Sequence, residues 1–222
     1  MNLLQGISAI LRKDLQAELR SRYAINTVLA FVGASLLLIL FALDAAQLSP
    51  VPKSALVWII ILFAALSSLS RSFVMETDKK TYNLLRLHGQ AAEVFLGKLC
   101  FNYLFTLAIN VTTFLGYLFL LDISIADLSA FLLILILGTA GLSSVATMLG
   151  AIVSQADRKG AIFSVLSIPL LFPLILILAR LTQAALITDF SESYFNDALA
   201  LTGFVGSTIT AGLLLFDYIW DE

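Results

Sequence analysis

Six long apolar runs constrain the fold of this chain more than any other feature of its sequence. The hydrocarbon core of a bilayer is about 30 Å thick, and about 20 helical residues cross it. Backbone groups inside lipid must find hydrogen bonds within their own segment, so runs of this length are predicted to be transmembrane helices. The predicted spans are about 25–43, 55–74, 97–121, 129–153, 161–180 and 198–219.

The composition agrees with a chain that is built for lipid. Hydrophobic residues make up 60% of the 222 residues and charged residues 13%, whereas soluble domains are about 25% charged. No segment suits a soluble domain, so residues 1–222 are predicted to form one all-α polytopic membrane domain. The first apolar run begins after residue 24 and is too long for a cleaved signal peptide, so it is predicted to remain as an anchor.

Lysine and arginine are distributed unevenly between the two sides of this predicted bundle. Of the 13 basic residues, eleven precede span one or lie between spans two and three or spans four and five, when the adjoining span ends are counted. Only Lys53 and Arg180 lie on the opposite side. Because segments rich in lysine and arginine stay in the cytoplasm, both termini are predicted to be cytoplasmic.

Residues 1–22 precede every span and still show helical periodicity. This pattern predicts an interfacial helix that lies along the cytoplasmic surface of the membrane. It can act as an anchor that sets orientation, or as an elbow on which a moving bundle pivots. The apolar positions that carry the pattern are Leu4, Ile7, Leu11, Leu15 and Leu19.

Segment 75–96, between spans two and three, carries the charges that its apolar surroundings lack. We predict that it contains a short amphipathic helix that ends at Gly89. A helix this short is not stable alone in water, so a partner must hold it or lipid headgroups must stabilise a solvated turn. The first alternative makes it a coupling helix that fits a groove of a partner protein. Its candidate coupling residues are Thr81, Tyr82, Leu84, Leu85, Arg86 and Leu87.

Polar residues within spans are candidates for function. Span three carries four on one helical face, and they can line a substrate path or hold helices together. These residues are Asn102, Thr106, Asn110 and Thr113.

Span five contains Pro169 and Pro173, which kink a helix either as static shape or as a moving hinge. Small residues in span four favour close helix packing. The outer segment 181–197 is predicted to form one or two short helices in the interface.

Residues for catalysis or cofactor binding are scarce. His88 is the only histidine and Cys100 the only cysteine, which rules out a disulfide within the chain and a histidine pair for a metal or haem. The Gly97–Leu99 stretch lacks the remainder of a P-loop. We therefore predict that the chain is not an enzyme, has no cofactor of its own and does not hold ATP by itself. No span has a carboxylate near its middle, which argues against a secondary carrier.

Three segments carry a resemblance to a known family. They are LRKDLQAELRSRYAINTVLAF at 11–31, ETDKKTYNLLRLHG at 76–89 followed by FLGKL at 95–99, and GLSSVATMLGAIVSQADRKGAIFSVLSIPLLFPLILI at 141–177. With six spans, a leading interfacial helix and a loop helix, the chain resembles the ABC-2 type exporter permeases. More narrowly, it resembles the CcmB family, the haem exporter permeases of cytochrome c maturation. It departs from that family's usual pattern at Lys80, Asn83 and His88–Gly89.

The resemblance implies a permease subunit in the bacterial inner membrane that acts in c-type cytochrome maturation. Its implied partners are an ABC ATPase subunit, a second copy of the chain, a haem-handling membrane subunit and a periplasmic haem chaperone, with no nucleic acid. The complex would export haem or use ATP to release the haem-loaded chaperone. The alternatives are a scaffold subunit of a haem-handling complex that transports nothing, or a permease for another lipophilic substrate.

Overall fold

The structure of the chain, a computed structural model, describes residues 3–42, 49–69, 76, 85–86, 89–154, 159–187 and 194–221. This part of the chain contains seven α-helices, in agreement with the predicted all-α fold. In chain order they are α1 Leu3–Ser21, α2 Tyr23–Ala42, α3 Pro50–Leu69, α4 Ala91–Leu120, α5 Leu128–Ser154, α6 Lys159–Ile187 and α7 Phe195–Asp221.

Five of these helices are long and apolar enough to cross a membrane, namely α2, α4, α5, α6 and α7. The apolar stretch of α3, Val51–Ser67, is shorter. Large hydrophobic side chains cover the outside of the bundle, including Phe119, which is 86% exposed, and Phe41, which is 82% exposed. Side chains of this kind suit lipid and not water, so the chain is a multi-pass membrane protein.

Helix α5 occupies the centre of the bundle and packs against α3, α4, α6 and α7. Its small residues make this position possible, as predicted for the fourth span. A Cβ atom at Gly138 would lie 2.7 Å from the Trp58 ring, and one at Gly141 would lie 3.0 Å from Leu174. Glycine at these positions therefore lets α3 and α6 approach the α5 backbone.

A second apolar cluster, here called the end cluster, lies apart from the main core. It joins α1, the beginning of α4 and the ends of α5 and α7, with the Phe95 and Phe216 rings 5.5 Å apart. Its buried members are Ile10, Ala91, Val94, Phe95, Ala151, Phe216 and Trp220. The first helix is therefore packed onto the bundle and is not a free arm.

The junction between α1 and α2 is a single residue, Arg22, with a φ of 52°. The Glu18 carboxylate accepts hydrogen bonds from the Ala24 and Ile25 N–H groups at 3.1 and 3.3 Å. These are free N–H groups of the first turn of α2, so a side chain of α1 caps the next helix. The cap links the direction of α1 to that of α2.

Helix α4 begins earlier than the predicted third span. It starts at Ala91 and not near residue 97, because Gln90 and Glu93 form a capping box there. Residues 91–96 of the predicted coupling segment thus belong to α4.

Helix α6 also exceeds its predicted span, since it continues to Ile187. The prediction of separate short helices in segment 181–197 is therefore wrong for residues 181–187. Leu181 and Ala185 pack inward in the main core. The Ala185 carbonyl also accepts hydrogen bonds from the Ala126 and Asp127 N–H groups at 3.1 and 3.0 Å. Packing and the α4–α5 loop thus hold this extension.

Pro169 and Pro173 lie inside α6, which remains helical through both, and both are exposed on the outer face of the bundle. A hinge at these prolines stays a prediction.

Candidate functional site

The predicted coupling segment is described at Glu76, Leu85, Arg86 and from Gly89 onward. Leu85 and Arg86 are helical and half-buried, and the Gly89 N–H donates a hydrogen bond to the Leu85 carbonyl at 2.9 Å. Leu85 packs against the end cluster, so it contacts the chain's own core. The other candidate coupling residues, Thr81, Tyr82, Leu84 and Leu87, lie outside the described residues.

Beside this segment lies a group of four charged side chains, here called the ionic junction, formed by Lys13, Asp14, Glu76 and Lys98. The Lys98 Nζ atom lies 3.1 Å from Asp14 Oδ2 and 3.6 Å from Glu76 Oε1. Lys13 Nζ lies 3.3 Å from Asp14 Oδ1 and hydrogen-bonds to the Glu76 carboxylate. The junction thereby joins α1, the chain beyond α3, and α4.

The ionic junction is largely shielded from solvent. The Lys98 side chain is 0% exposed, and those of Asp14 and Glu76 are 10% and 12% exposed. Burial of a charge is costly unless an opposite charge compensates it, and here two cations face two carboxylates. Burial lowers the pKa of Lys13, but Asp14 and Glu76 outweigh this effect and raise that pKa above its ordinary value. Lys13 therefore stays charged at neutral pH.

Two glycines bring α1 and α4 into direct contact beside the ionic junction. A Cβ atom at Gly6 would lie 2.6 Å from Glu93 Oε2, and one at Gly97 would lie 2.8 Å from the Ile10 Cβ. Gly6, Ile10 and Asp14 are four residues apart and share one face of α1. That face lies on α4, so the register of the two helices is fixed where the ions meet.

Sequence reasoning does not identify the ionic junction. In the sequence, Lys98 is a charge at the end of a span, and Asp14 belongs to the polar side of an interfacial helix. The available signal is a lysine within the first turns of an apolar helix, which requires a counter-charge. That counter-charge, Asp14, lies 84 positions earlier in the chain, and the sequence alone does not pair the two.

The four polar residues predicted on one face of span three form a polar seam, all fully buried. Asn102 Nδ2 donates a hydrogen bond to Thr147 Oγ1 at 2.8 Å, and Asn110 Nδ2 donates one to Thr139 Oγ1 at 2.7 Å. Both bonds connect α4 to α5. In this conformation the seam therefore joins two helices.

The remaining seam atoms do not contribute to this contact. Thr113 Oγ1 donates a hydrogen bond to the carbonyl of Ile109 in its own helix at 2.8 Å. Thr106 Oγ1 and Asn110 Oδ1 have no hydrogen-bond partner among the described residues. The seam thus holds polar atoms that are available for hydrogen bonds to water, to a substrate or to other groups in another conformation.

An apolar cleft of about 380 Å³ lies between α1, α4, α5 and α7. Residues of its lining include Leu11, Leu99, Cys100, Tyr103 and Ile209. Its size and lining suit a hydrophobic moiety.

The helical fold, the lipid-compatible surface and the charged contacts at one end define a polytopic helical membrane protein. A family model described as CcmB protein matches residues 5–215. The chain therefore belongs to the CcmB family, which confirms the resemblance in its opening helix, loop and later spans. As a member, it is a membrane permease subunit of cytochrome c biogenesis and not itself an enzyme. No match was found among curated protein sequences.

Proposed function

We propose that this chain is the permease subunit of an ABC complex of the bacterial inner membrane that serves c-type cytochrome maturation. The match to the CcmB family over residues 5–215 carries this proposal. In it, α2 to α7 form six spans, and both termini face the cytoplasm. The uneven distribution of lysine and arginine supports that orientation.

The ATP-binding partner docks on the coupling segment. Leu85 and Arg86 are helical there, and Leu85 packs against the end cluster, where α1, α4, α5 and α7 meet. A movement imposed on this segment therefore reaches several spans through direct contacts. The chain contributes no ATP site, and hydrolysis belongs to a separate ATPase subunit.

Two copies of the chain pair in the complex. Gly203 and Gly206 of α7 have open space around them, since a Cβ atom added at either residue would meet no atom within 4 Å. Helix α7 presents other small residues on the same exposed side. Small exposed residues allow close approach of a second helix. A haem-handling membrane subunit and a periplasmic haem chaperone complete the assembly.

Haem is the substrate of the complex, either as exported cargo or on the chaperone that ATP hydrolysis releases. The fully buried polar seam favours the second route, because the seam is packed in this conformation. The same packing of the seam equally supports a scaffold subunit that transports nothing. The apolar cleft instead favours movement of another lipophilic substrate. Haem content of the purified complex, measured with and without ATP, separates these alternatives.

The docking role is tested with Leu84→Asp, which places a charge in the proposed contact. Burying one leucine is worth about 1.5–3 kcal/mol, and a buried charge in its place is strongly unfavourable. We expect the variant to insert normally, to lose the ATPase on co-purification and to lose cytochrome c maturation.

Lys80→Ala, at the solvated edge of the predicted helix, is the control and retains both. Leu85→Asp is less diagnostic, because Leu85 packs against this chain's own end cluster. Full retention of the ATPase and of maturation in Leu84→Asp, at normal expression, contradicts the docking role.

A further inference from the structure

The ionic junction brings together three parts of the chain that are far apart in sequence. Glu76 lies beyond the end of α3, before the candidate coupling residues. Asp14 and Lys13 lie on α1, and Lys98 lies on α4. Lys98 reaches both carboxylates, at 3.1 and 3.6 Å, with no exposed surface of its own.

Burial makes this contact hard to break. An exposed ion pair separates at little cost because water solvates both partners. Removing one partner of a buried pair leaves an uncompensated charge in a medium of low dielectric constant. A displacement of Glu76 would leave Lys13 and Lys98 with Asp14 as their one remaining carboxylate in the junction, and so with one positive charge in excess. The elements of the ionic junction therefore move together.

The surroundings of the junction extend this connection to the second helix. The Gly6–Glu93 and Ile10–Gly97 contacts hold α1 in close contact with α4. At its other end, α1 caps α2 through the Glu18 carboxylate. A path of direct contacts thus leads from Glu76 through Lys98 and Asp14 to α1, and from α1 to α2.

We propose that the ionic junction is a clamp that passes displacement of the chain segment after α3 to α1 and α2. Asp14, Glu76 and Lys98 are its positioning residues. They keep α1 aligned with α4 while an attached partner moves the coupling segment. This inference rests on the proposed coupling function, and one of its two tests needs no partner.

The first measurement uses the full chain without a partner. Cys100→Ala removes the native thiol, and Gln16→Cys places a spin label on the exposed side of α1. Glu76→Gln then removes one charge of the junction and preserves the size of the side chain. We expect the label to become at least two-fold more mobile in Glu76→Gln.

Arg12→Gln is the matched control, since it removes a charge from the exposed side of the same helix. It should leave the mobility of the label unchanged. Glu76→Asp retains the charge, so its label mobility should lie between that of the unmodified side chain and that of Glu76→Gln. Unchanged mobility in Glu76→Gln overturns the clamp, whatever the ATPase does.

The second measurement uses the complex with its ATPase subunit. Asp14→Asn removes a charge of the junction on α1, outside the coupling segment. It should retain the ATPase on co-purification and hydrolyse ATP within two-fold of the unmodified complex. The nucleotide-dependent change in the α1 label should disappear, and cytochrome maturation should fall at least ten-fold. A retained nucleotide response with normal maturation overturns the clamp.

Failure of the unmodified chain to bind any ATPase instead contradicts the proposed function, and the partner-free measurement still decides the clamp. If Glu76→Gln or Asp14→Asn does not accumulate in the membrane, Lys13→Gln serves in its place. Lys13 holds the Glu76 carboxylate, and its side chain is 43% exposed, so the protein tolerates its loss more readily.

Discussion

Asn110 and Thr139 share a hydrogen bond in the polar seam between α4 and α5. We expect substitutions of these two residues to have opposite effects on the stability of the chain. Asn110 Nδ2 donates to Thr139 Oγ1, while Asn110 Oδ1 has no hydrogen-bond partner among the described residues. Asn110→Leu removes both atoms and keeps the branched shape. Thr139→Val removes the hydroxyl that accepts this hydrogen bond and that donates one to the Leu135 carbonyl, and it leaves the whole Asn110 amide buried.

The magnitudes follow from these contacts. A hydrogen bond between membrane helices contributes about 0.6 kcal/mol on average, whereas a buried polar atom without a partner costs about 1–3 kcal/mol. In Asn110→Leu, removal of the buried Oδ1 atom that lacks a partner gains more than loss of the hydrogen bond costs. We therefore expect stabilisation by about 0.5–2 kcal/mol. In Asn110→Leu, the Thr139 hydroxyl keeps its hydrogen bond to the Leu135 carbonyl, at 2.6 Å. In Thr139→Val we expect destabilisation by about 1–3 kcal/mol.

Thermal unfolding of the purified chain in detergent measures both effects. For a chain of this size, 1 kcal/mol shifts the melting temperature by about 2–4 °C. Val111→Leu, on the exposed side of α4, controls for a change of side-chain size. If Asn110→Leu destabilises the chain as much as Thr139→Val does, Oδ1 has a partner such as water or substrate. The seam is then a hydrated path, and helix packing does not explain it.

Two further predictions concern α1 and the orientation of the chain. Gly97→Val should displace α1 through overlap with Ile10, at a cost of about 1–3 kcal/mol, and increase proteolysis within residues 1–22. Gly33→Val, where no atom lies within 4 Å of the added Cβ, should not. Cysteines at Gln47 and Glu192 should react with an impermeant thiol reagent applied from the periplasm, and Lys79→Cys should not. Periplasmic labelling of Lys79→Cys in intact cells would overturn the orientation.

The fold class and the family could be predicted from the sequence because both depend on local pattern. An apolar run long enough to cross a bilayer must be helical, since lipid offers its backbone no hydrogen-bond partner. The helices α2, α4, α5, α6 and α7 therefore coincide with apolar runs. The periodicity of the first 22 residues likewise predicted α1.

The boundaries of α4 and α6 were harder to predict, because charged residues interrupt the apolar pattern without ending the helix. Glu93 has the character of a loop residue, yet it caps α4 from within its first turn. Arg180 has the character of a span end, yet buried Leu181 and Ala185 extend the packed face of α6.

Only the tertiary structure decided which residues meet. Lys98 and Asp14 are 84 positions apart, and their pairing depends on how α1 lies on α4. That arrangement depends in turn on Gly6 and Gly97, whose missing side chains leave space for the neighbouring helix. Hydrophobic length predicts which segments can cross the membrane, but buried charges find their partners only after the helices have packed.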